Sequence, residues 1–279
     1  MMQGDLFVPD RFDMLQRYVP KQLNSIVVPV EHGLKYIREL HVDLKAAGRG
    51  GFLILRGDSG CGKSTFVSTL DLFLGGVELL TIPREKSISE QIRWLPRTDA
   101  DLRVIVAEGR DAMRDVLKRE LEAALHDINA FVRSDRGERT LVVWPANADD
   151  LEQLLIDSAQ RVGADSLLGV RTPSFRFTGP PREQYLDIAN RTIATLNQGA
   201  SLSDLGVSAE RAEALAAEAG TIGRFLGLLR SDLVANKGEI EGLLTKERCR
   251  LWVVVASGTD AEGDIAGLTS GRPVLFQPR

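Results

Sequence analysis

The segment Gly57-Asp58-Ser59-Gly60-Cys61-Gly62-Lys63-Ser64-Thr65 constrains this chain more than any other stretch. Its glycines permit positive φ and let backbone N–H groups approach an anion without a Cβ in the way. A helix starting near Lys63 aims its unsatisfied N-terminal donors and partial positive charge at the same point. Lys63 adds a charge for the β- and γ-phosphates of a nucleotide, and the Ser64 hydroxyl is placed to enter a Mg²⁺ shell. The context such a loop needs is also present: the apolar run Phe52–Leu55 precedes it and a helix-compatible segment follows. The implied ligands are ATP or GTP with Mg²⁺. The expected binding set is Gly57, Ser59, Gly60, Cys61, Gly62, Lys63, Ser64 and Thr65, with Ser64 also a metal ligand.

Elements around the loop read as alternating strands and helices. Leu34, Ile37, Leu40 and Leu44 recur at helical spacing over residues 31–47, and Gly48-Arg49-Gly50-Gly51 ends that helix. Strands are expected at 77–82, 102–107 and 140–144, with a short edge strand at 175–177. Helices are expected at 63–73, 112–132 and 149–162. This alternation predicts an α/β fold, a parallel sheet flanked by helices on both faces. After Gly179-Pro180-Pro181 the segments 182–198, 208–218 and 221–235 read as three helices with no strand between them. The apolar run Leu251–Ala256 reads as a strand in the tail. The expected domains are an N-terminal arm over 1–30, a nucleotide-binding α/β domain over 31–180, a small all-α domain over 181–245, and a C-terminal β segment and tail over 246–279.

The formal net charge of −4 gives no bulk electrostatic case for a nucleic-acid or membrane surface. Cys61 and Cys249 are the only cysteines, which argues against a disulfide framework and fits a reducing compartment. The opening residues lack the basic and apolar regions of a signal peptide, and no apolar stretch approaches the roughly 20 residues that span a bilayer. A cytoplasmic protein without a membrane partner is expected. His32, His41 and His126 lie in expected helices without ligand-spaced neighbours and read as ordinary histidines. Trp94 and Trp144 read as core, and Cys61 as a packing residue.

A phosphate loop also needs a carboxylate at the end of a neighbouring strand, to hold Mg²⁺ or its waters and orient the attacking group. Val104-Ile105-Val106-Ala107-Glu108 offers one where the strand leaves the sheet. Glu108 is therefore a candidate both for catalysis and for the metal. Gly109 follows, and Asp111 is an alternative acid.

With these motifs in place, residues 30–240 resemble the AAA+ ATPases. Gly57–Ser64 is similar to their Walker A loop, and Glu108 falls at their Walker B acid, with Gly109 where a second acid is usual. Asn147, after the 140–144 strand, falls at the polar sensor 1 position. Arg171 lies where the family places its arginine finger, with Arg176 the competing choice. The all-α segment looks like their lid, and Gly223-Arg224 is similar to the sensor 2 region, which adds Arg224 to the nucleotide contacts. The resemblance implies ATP hydrolysis with Glu108, Asn147 and Arg171 as catalytic residues, ATP and Mg²⁺ as cofactors, a homo-oligomer, and action on a protein or DNA partner. Two other readings stay open. Glu108-Gly109 also resembles the acid-Gly pair of uridine kinase-like enzymes, which makes a P-loop small-molecule kinase one alternative. A slow nucleotide switch that controls assembly is the other.

Overall fold

A computed structural model describes residues 6–9, 12–116, 118–167 and 174–246. Five parallel strands form one sheet: β1 (Gly51–Arg56), β2 (Val77–Ile82), β3 (Leu102–Ala107), β4 (Thr140–Ala146) and β5 (Ser174–Arg176), in the order β2-β3-β4-β1-β5. β1 lies between β4 and β5, with Ile54 opposite both Trp144 and Ser174. Its six residues are all buried, as are those of β3 and β4. Such continuous apolar runs suit strands covered on both faces.

The two faces carry separate cores because successive side chains alternate across a strand. Phe52, Ile54, Ile105, Val142 and Trp144 pack with Ile92 of α6 (Ile88–Arg93), Leu125 and Ile128 of α7 (Lys118–Val132), and Leu151 and Leu155 of α8 (Asp149–Leu167). Leu53, Leu55, Val104, Val106 and Val143 face the other way. They pack with Leu34 and Ile37 of α3 (Glu31–Ala47), Phe66 of α4 (Lys63–Ser68) and Leu70 of α5 (Leu70–Phe73). Each fully buried side chain of this size contributes about 1.5–3 kcal/mol.

A third hydrophobic cluster joins α9 (Tyr185–Leu196), α10 (Ala209–Glu218) and the start of α11 (Ile222–Lys246), through Ile193, Leu215 and Phe225. The segment expected as an arm packs into it. Val8 is buried there, and the Phe7 backbone N–H donates to Asn197 Oδ1 at 3.0 Å while Asn197 Nδ2 donates to the Phe7 carbonyl at 3.1 Å. Two short helices, α1 (Phe12–Tyr18) and α2 (Leu23–Ile26), follow before α3. By compactness the chain divides into residues 1–237 and 238–279, and the expected strand Leu251–Ala256 lies outside the described residues.

Three local expectations change. The helix expected from residue 112 begins at Lys118, because residues 113–115 form a 3₁₀ turn whose Asp115 pairs with Arg84 at 2.7 Å. Helix α6 was not anticipated, although Ser87 and Glu90 spell its cap: the Glu90 backbone N–H donates to Ser87 Oγ at 3.4 Å. Trp144 is buried, but Trp94, just past α6, is 81% exposed. No helix among the described residues is long and apolar enough to cross a membrane.

Candidate nucleotide site

The phosphate loop leaves the C-terminal end of β1, the edge at which parallel α/β sheets place their ligands. The Gly57 backbone N–H donates to the Ala146 carbonyl at 3.0 Å, which fixes the loop's first residue to β4. Gly60 and Gly62 take φ of +81° and +96°, the left-handed region that favours glycine. A Cβ at Gly57 would lie 2.5 Å from the Phe177 carbonyl and 2.8 Å from Cys61 Sγ. The N–H groups of Ser59, Gly60 and Gly62 donate to no acceptor among the described residues. This is a cradle of free donors at the start of α4, which suits a phosphate chain.

Cys61 is buried beneath the loop, its Sγ 3.6 Å from the Phe177 carbonyl, and burial pushes its thiol pKa up. It is a packing residue. Ser64 is exposed in the first turn of α4, with its hydroxyl bonded to nothing among the described residues, and Thr65 is half-buried.

Lys63 is only 5% exposed. Its ammonium donates to the Gly57 carbonyl at 2.5 Å, to the Asp58 carbonyl at 3.1 Å and to Asn147 Oδ1 at 2.7 Å. Burial holds its pKa below the ordinary lysine value. Asn147, just past β4, donates through Nδ2 to Asp111 Oδ2, and its backbone N–H donates to the Asp111 carbonyl at 2.8 Å. One chain of hydrogen bonds thus runs from Lys63 through Asn147 to Asp111. It unites residues that the sequence left in three separate segments.

Glu108 sits in the turn after β3, exposed, and its carboxylate makes no hydrogen bond or ion pair among the described residues. Neighbouring Arg110 folds back: its guanidinium donates to the carbonyls of Ile82, Pro83, Arg84, Lys86 and Glu108. Gly109 makes this turn with φ +71°.

Sequence reasoning missed Arg56. It ends β1 buried, 2.8 Å from Asp149, 3.2 Å from Asp58 and 3.8 Å from Glu152. The hydrogen bond from Arg56 holds the Asp149 carboxyl below the usual carboxylate range. Arg176 is exposed and also reaches Asp149, at 3.4 Å. Arg171 lies outside the described residues.

The helical segment meets the loop directly. The Gly223 backbone N–H donates to the Gly60 carbonyl at 2.8 Å, and a Cβ on Gly223 would stand 3.0 Å from Gly60 Cα. Arg224 is exposed beside this contact, its backbone N–H capped by Thr221 Oγ1 at 3.2 Å. Among the described residues no group of three or more His, Cys, Asp or Glu side chains could hold a metal. A divalent cation here would take Ser64 and one carboxylate, with phosphate and water oxygens completing its shell.

No family model matches the sequence, and no curated protein matches it. Solved structures similar to the chain include the Aeropyrum pernix ORC1 protein in complex with DNA, at 16% identity and TM-score 0.47, over 90% of this chain and 68% of that one. The Aeropyrum pernix ORC2 protein, in ADPNP–ADP complexes, is similar at 11% identity and TM-score 0.47, over 88% and 70%. Domain III of the Thermotoga maritima replication initiation protein DnaA is similar at 15% identity and TM-score 0.45, over 80% and 93%. Each is a likeness in backbone arrangement, and the side-chain roles rest on this chain's own geometry.

Proposed function

We propose that this chain is an AAA+-like ATPase that binds ATP with Mg²⁺ in the Gly57–Thr65 loop and hydrolyses it to change its assembly or act on a protein or DNA partner. The observation that carries the reading is the placement of the Lys63 ammonium inside the loop, against Asn147, with free N–H donors beside it. Bound Mg²⁺ would neutralise developing charge on the phosphates. Lys63 and the loop amides would hold the β- and γ-phosphates, and Ser64 would offer its hydroxyl to the metal. Glu108, whose carboxylate has no hydrogen-bond or ion-pair partner among the described residues, would be the acid that orients the attacking water. Asp111 fixes the orientation of Asn147, which in turn holds the Lys63 ammonium. Arg224, beside the Gly60–Gly223 contact, reports nucleotide state to the helical segment. Arg171, or Arg176 in its place, completes the site of a neighbouring copy.

The test is a titration of fluorescent ATP against the wild type and Lys63→Ala, followed by phosphate release with and without DNA. Unchanged affinity in a folded Lys63→Ala protein would overturn the loop assignment. Phosphoryl transfer to nucleosides or sugars in place of phosphate release would move the chain to the small-molecule kinases. Nucleotide-dependent assembly without turnover would make it a switch.

A further inference from the structure

Arg56 occupies the last position of β1, next to Gly57, and its side chain is buried. Three carboxylates surround the guanidinium. Nε donates to Asp149 Oδ1 at 2.8 Å and lies 3.8 Å from Glu152 Oε2, while Nη1 donates to Asp58 Oδ1 at 3.2 Å. Asp149 and Glu152 belong to the first turn of α8 and are held from β5 as well. Arg176 reaches Asp149 at 3.4 Å, and the Ser174 hydroxyl donates to Glu152. A buried charge is costly unless it is paired and hydrogen-bonded. The carboxylates of α8 meet that need and fix Arg56, and Arg56 in turn holds Asp58.

Asp58 is the one acidic residue between Gly57 and Thr65, in a loop otherwise made to receive a polyanion. Its carbonyl accepts from the Lys63 ammonium at 3.1 Å, so the residue sits beside the loop's positive charge, yet its carboxylate pairs with Arg56. Without Arg56 that carboxylate, 75% exposed, would repel the phosphates and draw on the Lys63 charge they need. We infer that Arg56 is a positioning residue of the nucleotide site: it neutralises the Asp58 carboxylate and holds it toward α8, so that the loop offers a polyphosphate its N–H donors and the Lys63 charge. The inference rests on the reading of Gly57–Thr65 as a nucleotide site. Arg56 touches no nucleotide in this role and acts through Asp58. A guanidinium suits it, because its rigid fork serves Asp149 and Asp58 together, whereas lysine keeps the charge on a single point.

Fluorescent ATP with Mg²⁺ is titrated against the full-length wild type, Arg56→Gln, Arg56→Lys, Asp58→Asn and the double variant Arg56→Gln/Asp58→Asn, with urea midpoints to check folding. Arg56→Gln is expected to bind about tenfold weaker, the effect of one uncompensated charge beside a polyanion, and Arg56→Lys to lose less. Removing the Asp58 charge from Arg56→Gln should restore affinity to within about twofold of the wild type, a rescue that a merely structural arginine would not show. Asp58→Asn alone should also stay within about twofold, since Arg56 already masks that carboxylate. This variant alters an exposed side chain, so it is decisive even where Arg56→Gln does not fold. Wild-type ATP binding with a change of about tenfold in Asp58→Asn alone overturns the inference and leaves the nucleotide reading standing. So does an Arg56→Gln protein that binds like the wild type, or a deficit that persists in the double variant. Absence of ATP binding in the wild type overturns the nucleotide reading and this inference with it.

Discussion

Lys63 and Asn147, on α4 and just past β4, meet through a 2.7 Å hydrogen bond that places the loop's charge in register with the neighbouring strand end. The bond ties the position of the ammonium to the sheet, and Asp111 ties Asn147 in turn. A nucleotide entering the loop would compete for Lys63 with the Gly57 and Asp58 carbonyls, weaker acceptors than a phosphate.

Lys63→Met should abolish nucleotide binding, a loss of about a hundredfold or more, while leaving the fold intact. Its pH signature has a definite sign. The folded-state pKa of Lys63 lies below the ordinary 10.5, so between the two values the unfolded chain holds more protons and stability rises with pH. Denaturant melts across the alkaline range should show that rise in the wild type and a flatter curve in Lys63→Met.

Asp111→Asn and Glu108→Gln should fail differently. The amide at 111 loses the charge-assisted bond to Asn147 Nδ2, so both affinity and turnover fall. The carboxylate at 108 has no hydrogen-bond or ion-pair partner among the described residues, so ATP affinity should stay while turnover drops by about 10²-fold. Steady-state kinetics beside equilibrium binding separates the two. Slowed turnover in Asp111→Asn alone would transfer the catalytic role from Glu108 to Asp111.

Gly57→Ala should cost about 1–3 kcal/mol or more, because the new methyl meets a backbone carbonyl that cannot move away. Gly48→Ala is the informative control. Unlike Gly57 it has positive φ, +60°, but nothing lies within 4 Å of the added carbon. Urea midpoints should therefore fall further for Gly57→Ala, which alone should lose ATP.

Arg110→Ala removes the donor shared by five carbonyls of the 82–86 and 108 turns. A loss of roughly 1.5–3 kcal/mol is expected. Hydrogen exchange should rise in residues 83–87 before the rest of the sheet opens.

For assembly, Arg171→Ala should lower turnover by about 10³-fold without weakening ATP binding. Mixing it with the Lys63→Ala protein should restore part of the activity, since each supplies what the other's interface lacks. Turnover independent of protein concentration would exclude an arginine acting between copies, and a parallel Arg176→Ala series decides between the two arginines.

The sequence by itself determined the parallel sheet, because buried parallel strands need unbroken apolar runs such as Phe52–Leu55 and Val104–Ala107, and these are visible without coordinates. It also determined the loop, whose glycine spacing is a local backbone requirement. Tertiary structure alone decided which acid meets Asn147, since Asp111 and Asn147 touch only after β3 and β4 pair. It decided that Arg56 is buried and held by Asp149, two residues 93 positions apart along the chain. It also placed Gly223 on Gly60, and Val8 among the C-terminal helices. Local periodicity reports which face of an element is apolar, but not which distant element covers it. Trp94 shows the limit: its residue type favours burial, yet at the C-terminal end of α6 it stands exposed while Leu95 beside it packs against the core.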